Sequence, residues 1–589
     1  MKALKRSKFL LPVILVLFLF AGCQTKSESE KFDAFIQQEF VDSMESDYTT
    51  AHVYLENPKD FGVDPSKLTP NLGTKVSPQL LVDSRKTTAE TLEKLKAFDR
   101  SKLTEDQQDT YDIYMYMLSV DNQLNDEKFD YYQQLFESIS GIHYQLPVLL
   151  ADWSLRNEQD VKDLIAVVND VQPYMSSIIE YTKEQEKRGL LMIDIDEVTS
   201  YCQKVLDKGE ESSILTAMYE SIDALGLDAA AATTYKDQLK DAFVNSFIPA
   251  YSDIVDAMNT FKTGTNNEEG YAKFQYGKEY YELLLQKSSG SEKSVEEIRK
   301  MMQQAFKKHL INLQMLITKN PELVDMLQEG DPGSGYTTYT DILDSISAVM
   351  FKDFPEVSNL EYNIKDVNEE ISSDSGVAAY FNVPALDGNG TQQMRVNPNL
   401  GEINSLSTYH TVAHEGYPGH MYQYAYMYQN QTSPFRKAIA NSNAYTEGWA
   451  VYAQYSAFDY LTDIDADYLE LVKENELASY CYIILADIGI HYDGWSYDDF
   501  AKYMSQLLDM DDESMMGQFK QLQANPCAFE PYYVGYEEIT ALKADAEDAL
   551  GDQFNLKAFN EAVLKSGNAS FDVVAKNVNK YIEEYKNKK

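Results

Sequence analysis

Basic residues are scarce in this chain. It has 51 Lys and Arg against 94 Asp and Glu, a formal net charge of −43 at pH 7, and the excess is spread along the whole length. That balance excludes nucleic acid and anionic lipid headgroups as electrostatic partners and leaves a strongly solvated surface. Cysteine is rarer still, with four in 589 residues and no CxxC spacing, so the spacing offers no signature of a zinc site built from cysteine pairs. Apart from Cys23, residues Cys202, Cys481 and Cys527 allow one disulfide with a thiol left over, or none. Internal repeats and low-complexity tracts are missing too. At 44% hydrophobic residues the chain is nonetheless a folding one, and its length calls for two subdomains or one large helical body.

The first residues set the compartment. Lys2, Lys5, Arg6 and Lys8 precede an apolar run from Phe9 to Gly22, the layout of a secretory signal. At about 14 residues this run is short of the ~20 that a spanning helix needs. Its end, Leu19-Phe20-Ala21-Gly22-Cys23, resembles the lipobox of bacterial lipoproteins, with Phe20 where an aliphatic residue is more usual. The expectation is a signal peptide over 1–22 and a lipidated Cys23 leading a polar tether over 23–31. The protein would then sit on the extracytoplasmic face of the cell membrane, held by lipid alone.

Helical periodicity dominates the chain beyond the tether. Lys31–Tyr54 carries Phe32, Ile36, Phe40 and Met44 at helical spacing, and Gln79–Phe98, Thr104–Asn125, Glu158–Arg188, Asp196–Asp207 and Ala231–Thr260 are amphipathic. The loop Lys262–Gly270 marks a boundary between an N-terminal lobe (32–262) and a second lobe (271–589). Ser294 and Glu297 form a capping box. From Pro355 to Asn399 the texture turns β-prone, and Ala378–Val383 and Gln392–Val396 flank a turn containing Asp387-Gly388. The predicted fold is mainly α and two-lobed, with a small sheet at about 378–397 beside the active-site helix and a cleft between the lobes. Met394–Val396 is a candidate edge strand for an extended peptide, or simply one arm of a structural hairpin.

The chemistry lies in Thr411–Gln423, TVAHEGYPGHMYQ, and Asn443–Gln454, NAYTEGWAVYAQ. Two imidazoles and a carboxylate, with a spare carboxylate beside the first imidazole, make up a hydrolytic zinc site. A zincin helix spaces its histidines four apart, so that both face one way. Here His414 and His420 are six apart, a rotation of about 240° on an unbroken helix. Pro418 and Gly419 must therefore break the helix and return His420 to the metal face. His410 and His414 are four apart, and spacing alone leaves the two pairs tied.

HEGYPGHMYQ followed by TEGWAVYAQ resembles the bacterial domain-of-unknown-function 885 family, with its pattern HE-x-x-PGH-x-x-Q and then EGWA-x-Y. The similarity extends to YGKEYYELLLQ (Tyr276–Gln286), the AYFNVPALDG segment, ADIGIHYDGWS (Ala486–Ser496) and YYVGYEEI (Tyr532–Ile539). That family resembles helical gluzincin peptidases. The resemblance implies His414, His420 and Glu447 as ligands of one zinc ion and Glu415 as the general base. It also implies an assisting role for His491, as substrate contact or ligand orienter, and for Tyr532, as donor to the oxyanion. Ile483 stands where relatives carry arginine, so no substrate-carboxylate clamp is inherited. The expected activity is zinc-dependent hydrolysis of peptide bonds outside the cytoplasmic membrane. The alternatives are a lipoprotein that binds peptides or an envelope partner without turnover, or a hydrolase of a non-peptide amide or ester.

Overall fold

A computed structural model describes residues 26–263, 269–372, 377–399 and 401–587. The expected signal peptide and Cys23 lie outside the described residues. The first helix starts at Glu28, inside the stretch 23–31 expected as tether. Ser27 accepts from the Glu30 amide while the Glu30 carboxylate accepts from Ser27 N–H, which satisfies donors the helix start would leave free. The free cysteines Cys202, Cys481 and Cys527 are all buried.

The chain is mainly α-helical. The helix α1 (Val295–Lys319) packs along α5 (Ala466–Ile488), and the site is built from α2 (Leu406–Glu415), α3 (His420–Asn430), α4 (Asn443–Phe458) and α6 (Glu530–Leu550). Three short strands, β1 (Tyr362–Asp366), β2 (Ala379–Asn382) and β3 (Gln392–Val396), form one sheet. Its order is β1-β3-β2, with β1 parallel and β2 antiparallel to β3. The hairpin predicted around Asp387-Gly388 is β2–β3, and Asp387 anchors it by accepting the Glu56 and Asn57 amides. β3 is the central strand, so Met394–Val396 is no open edge. That position belongs to β2, which lies against α2.

Two large apolar cores do not divide at the loop near residue 262. One takes Val161, Met175, Ile214, Phe247 and Ile254 together with Val367 and Ile371 from beside the sheet. The other joins Phe32, Ile36, Leu95 and Ile113 of the earliest helices to Tyr281, Ile346, Trp449, Ile539 and Val574 of the second half. The helices from 28 to 124 thus bury their apolar stripes against the segment that carries the site. Burial of this kind contributes about 25 cal/mol per Å2 of apolar surface.

No helix among the described residues is long and apolar enough to cross a membrane.

Candidate metal site

The six-residue histidine spacing is resolved by a break in the helix. α2 ends at Glu415 and α3 begins at His420, and the Tyr417–Pro418 peptide bond between them is cis. Gly416 N–H donates to Val412 O at 2.8 Å, and Gly419 N–H reaches back to Ala413 O at 3.0 Å, folding the linker onto α2. A Cβ on Gly419 would lie 1.8 Å from the His414 carbonyl oxygen, so only glycine fits. Trp449 Nε1, on α4, donates to Pro418 O at 3.0 Å and fixes the linker from the opposite side.

This turn brings His420 onto the face that His414 already occupies. Their rings stand 4.8 Å apart and nearly perpendicular. His414 Nε2 and His420 Nε2 lie 3.4 and 3.3 Å from Glu447 Oε2 on α4. One donor atom from each of the three residues falls within 4.8 Å of the other two. Burial would raise the Glu447 carboxyl, but the two histidines outweigh it and hold the group well below the usual carboxylate range. His414 is oriented through its other nitrogen: Nδ1 lies 2.8 Å from Gln454 Oε1. That bond makes Nδ1 the donor, so that a neutral His414 would offer its Nε2 lone pair to a metal. Gln454 sits two turns beyond Glu447 on the same face of α4, a periodicity that could have marked it in the sequence. A metal ion held by these three donors would be bound about 10–100-fold more weakly in Gln454→Ala, measured by competition with a chelator.

Glu415 lies beside the donors without joining them, its Oε1 3.9 Å from His414 Nε2. Burial pushes its carboxyl up to about 7, and Glu447 adds to the rise, against His414 and the nearby Phe381 amide of β2. The Tyr532 ring, from the first turn of α6, lies near-parallel to His414 at 6.1 Å. Its hydroxyl is pushed well above its ordinary value by Glu447, then by burial and Glu415. The tyrosine therefore stays protonated and able to donate.

α4 and α6 cross closely enough to place Glu447 and Tyr532 on one centre. A Cβ on Gly535 would lie 2.1 Å from Ala444 O, and one on Gly448 would lie 2.4 Å from the Gly535 carbonyl carbon. The crossing therefore demands glycine on both helices.

Two other histidines are not part of this group. His410 is half-buried beside Phe458 and Tyr455, and the Glu476 carboxylate lies 3.6 Å from its Nδ1. Among the described residues the cluster of three donors forms on His420 and not on His410. His491 lies just past the end of α5 with both ring nitrogens taken by backbone. Nδ1 accepts the Tyr271 amide at 3.2 Å and Nε2 donates to Leu522 O at 3.0 Å. It is fully buried and joins segments distant in sequence.

A cavity of about 690 Å3 lies against β2. Tyr54, Trp153, Arg156, Phe381, Pro384 and Gln393 are among its lining residues. None of the metal-site side chains lines it. Phe381 joins the two, lining the cavity while its backbone amide lies near Glu415.

Comparison with curated proteins gives no match. Among solved structures, one described as a putative lipoprotein from Colwellia psychrerythraea has the same fold at a TM-score of 0.81. It is 18% identical, and the alignment covers 95% of this chain and 100% of that one. A second, a putative lipoprotein of unknown function from Shewanella oneidensis, aligns with a TM-score of 0.55 at 16% identity, covering 94% and 99%. The model of a family described as bacterial protein of unknown function matches residues 61–578, which hold the whole site, and the chain therefore belongs to the DUF885 family.

Proposed function

We propose that the protein is a zinc-dependent hydrolase that cleaves peptide bonds. The observation that carries this reading is the convergence of His414, His420 and Glu447 with Glu415 alongside them. The donor set fits zinc: two imidazole nitrogens and a carboxylate oxygen, one imidazole already fixed in the metal-binding tautomer by Gln454. When bound, zinc supplies Lewis acidity to the substrate carbonyl.

The remaining chemistry belongs to the chain. The Glu415 carboxylate takes the proton of the attacking water and passes it to the leaving amine. Tyr532 donates its hydroxyl hydrogen to the oxyanion that develops on the carbonyl. β2, an edge strand, packs against α2, which ends at Glu415. The adjoining cavity, with its aromatic walls and Arg156, receives the flanking part of the peptide. The Cys23 motif, the absence of a spanning helix among the described residues, and the lipoprotein descriptions of both fold neighbours support a lipid-anchored location on the extracytoplasmic face.

Metal analysis tests the site. His420→Ala is expected to lose one equivalent of zinc relative to the wild type, and His410→Ala to lose none. Loss in His410→Ala with retention in His420→Ala would place the metal a turn earlier on α2 and overturn the assignment.

A further inference from the structure

We propose a second divalent-cation site, of the zinc type, formed by Asp487, Cys527 and Glu530 at the start of α6. These three residues come from the end of α5, the connection before α6 and the first turn of α6. One donor atom from each lies within 4.8 Å of the others. All are buried, Asp487 to 1% exposure, Cys527 to 5% and Glu530 to 0%.

The oxygens facing this centre are unpartnered. Both Glu530 carboxyl oxygens and Asp487 Oδ1 are buried with no hydrogen-bond partner. Among the described residues, no lysine or arginine pairs with either group, and the nearest base, His491 Nε2, lies 3.6 Å from Asp487 Oδ1 but donates to Leu522 O. Buried acidic oxygens without donors are costly and call for a cation or a proton.

Asp487 is also held as a metal ligand is held. Its Oδ2 accepts the Tyr281 hydroxyl at 2.6 Å and the Cys527 amide at 3.4 Å, which turns Oδ1 toward the shared centre. One thiolate with two carboxylates suits a borderline ion such as zinc, rather than magnesium or calcium, which prefer oxygen alone. Without a cation, burial and then Asp487 push the Glu530 carboxyl well above its ordinary value, and burial does the same to the Cys527 thiol. Cation binding would therefore release protons from the set. The ion would fasten the start of α6, where Tyr532 follows Glu530 by one half-turn, and so act as a positioning element for the first site.

The first site contains no sulfur, and this makes the test selective. The purified protein is loaded with Co2+ and its near-ultraviolet spectrum recorded. A sulfur-to-cobalt charge-transfer band is expected in the wild type and in His420→Ala, and its loss in Cys527→Ser. Glu530→Gln, which preserves shape and is checked for folding by near-ultraviolet circular dichroism, is expected to lose one equivalent of metal. Absence of the band from the wild type, or its survival in Cys527→Ser, would overturn the proposal. So would a folded Glu530→Gln protein with unchanged metal content, which would assign the pair a shared proton instead.

Discussion

Glu415→Gln is expected to bind zinc as the wild type does and to hydrolyse peptides about 10²–10⁴-fold more slowly. The substitution keeps the shape of the side chain, so the packing of α2 against β2 is expected to stay. It removes the carboxylate that stands beside the donors ready to accept a proton. Glu415 lies 3.9 Å from His414 Nε2 and is not one of the three converging residues, so metal content is expected to stay constant. The loss is expected in kcat rather than KM, because proton transfer is made only in the transition state. A variant with full turnover would remove Glu415 from the mechanism. A wild-type protein that cleaves nothing in a panel of peptides, amides and esters, while still holding metal, would leave a binding lipoprotein.

The largest expected stability effect lies outside the site. His309→Ala is expected to cost about 3–5 kcal/mol, the usual consequence of removing one partner from a buried charge pair. His309, on α1, is 2% exposed and places Nδ1 2.7 Å from Glu474 Oε2 on α5 and Nε2 3.3 Å from Glu537 Oε1 on α6. Without it Glu474, 4% exposed, is left with the neutral Asn312 amide as donor to its Oε2. Burial lowers the His309 imidazole, but hydrogen bonds with Cys481, Glu474 and Glu537 outweigh that and hold it at about 11. Its unfolded value is about 6.5, so folding takes up a proton. The stabilisation is complete below about pH 6.5 and is lost as pH rises toward 11. Urea unfolding between pH 7 and 10 is expected to show a falling midpoint in the wild type and a flatter profile in His309→Gln. Equal slopes in the two would sink the assignment.

Helical character was readable wherever apolar residues recur at helical spacing, and Phe32, Ile36, Phe40 and Met44 are buried as that spacing requires. Breaks were harder to read. Lys31–Tyr54 reads as one helix, yet it divides at Asp47, whose carboxylate accepts the Thr50 amide at 3.0 Å and caps a second helix. Periodicity carries no signal for such a cap inside a polar face. Ala231–Thr260 likewise holds a wide turn at Phe243–Phe247 that leaves the apolar stripe nearly in phase. β1 was hidden because its strand partner, β3, arrives only after β2, and a parallel pairing leaves no local turn to find.

At the site, residue types and motif were legible but the choice between His410 and His420 was not. That choice depends on the backbone of Gly416–Gly419, which spacing rules for a continuous helix cannot describe. His491 shows the opposite case. Its motif suggests chemistry, while burial and two backbone partners give it a bracing role. Glu530 reads as an ordinary first-turn acid until packing removes its water.

The way the first helices complete the second core also sets the order in which the molecule can assemble. Lys576 pairs with Asp109 across 467 residues, and Lys580 with Glu105 across 475. Glu105 and Asp109 of the helix Glu105–Leu124 therefore wait for the helix Phe571–Asn587 before they are matched, whereas Asp112 pairs locally with Arg100. Contacts this far apart in sequence slow folding, because loop-closure entropy must be overcome before they form. Nearly the whole polypeptide must emerge from synthesis or export before its earliest helices are shielded. During that interval their apolar stripes are open to chaperones, proteases and other copies of the chain.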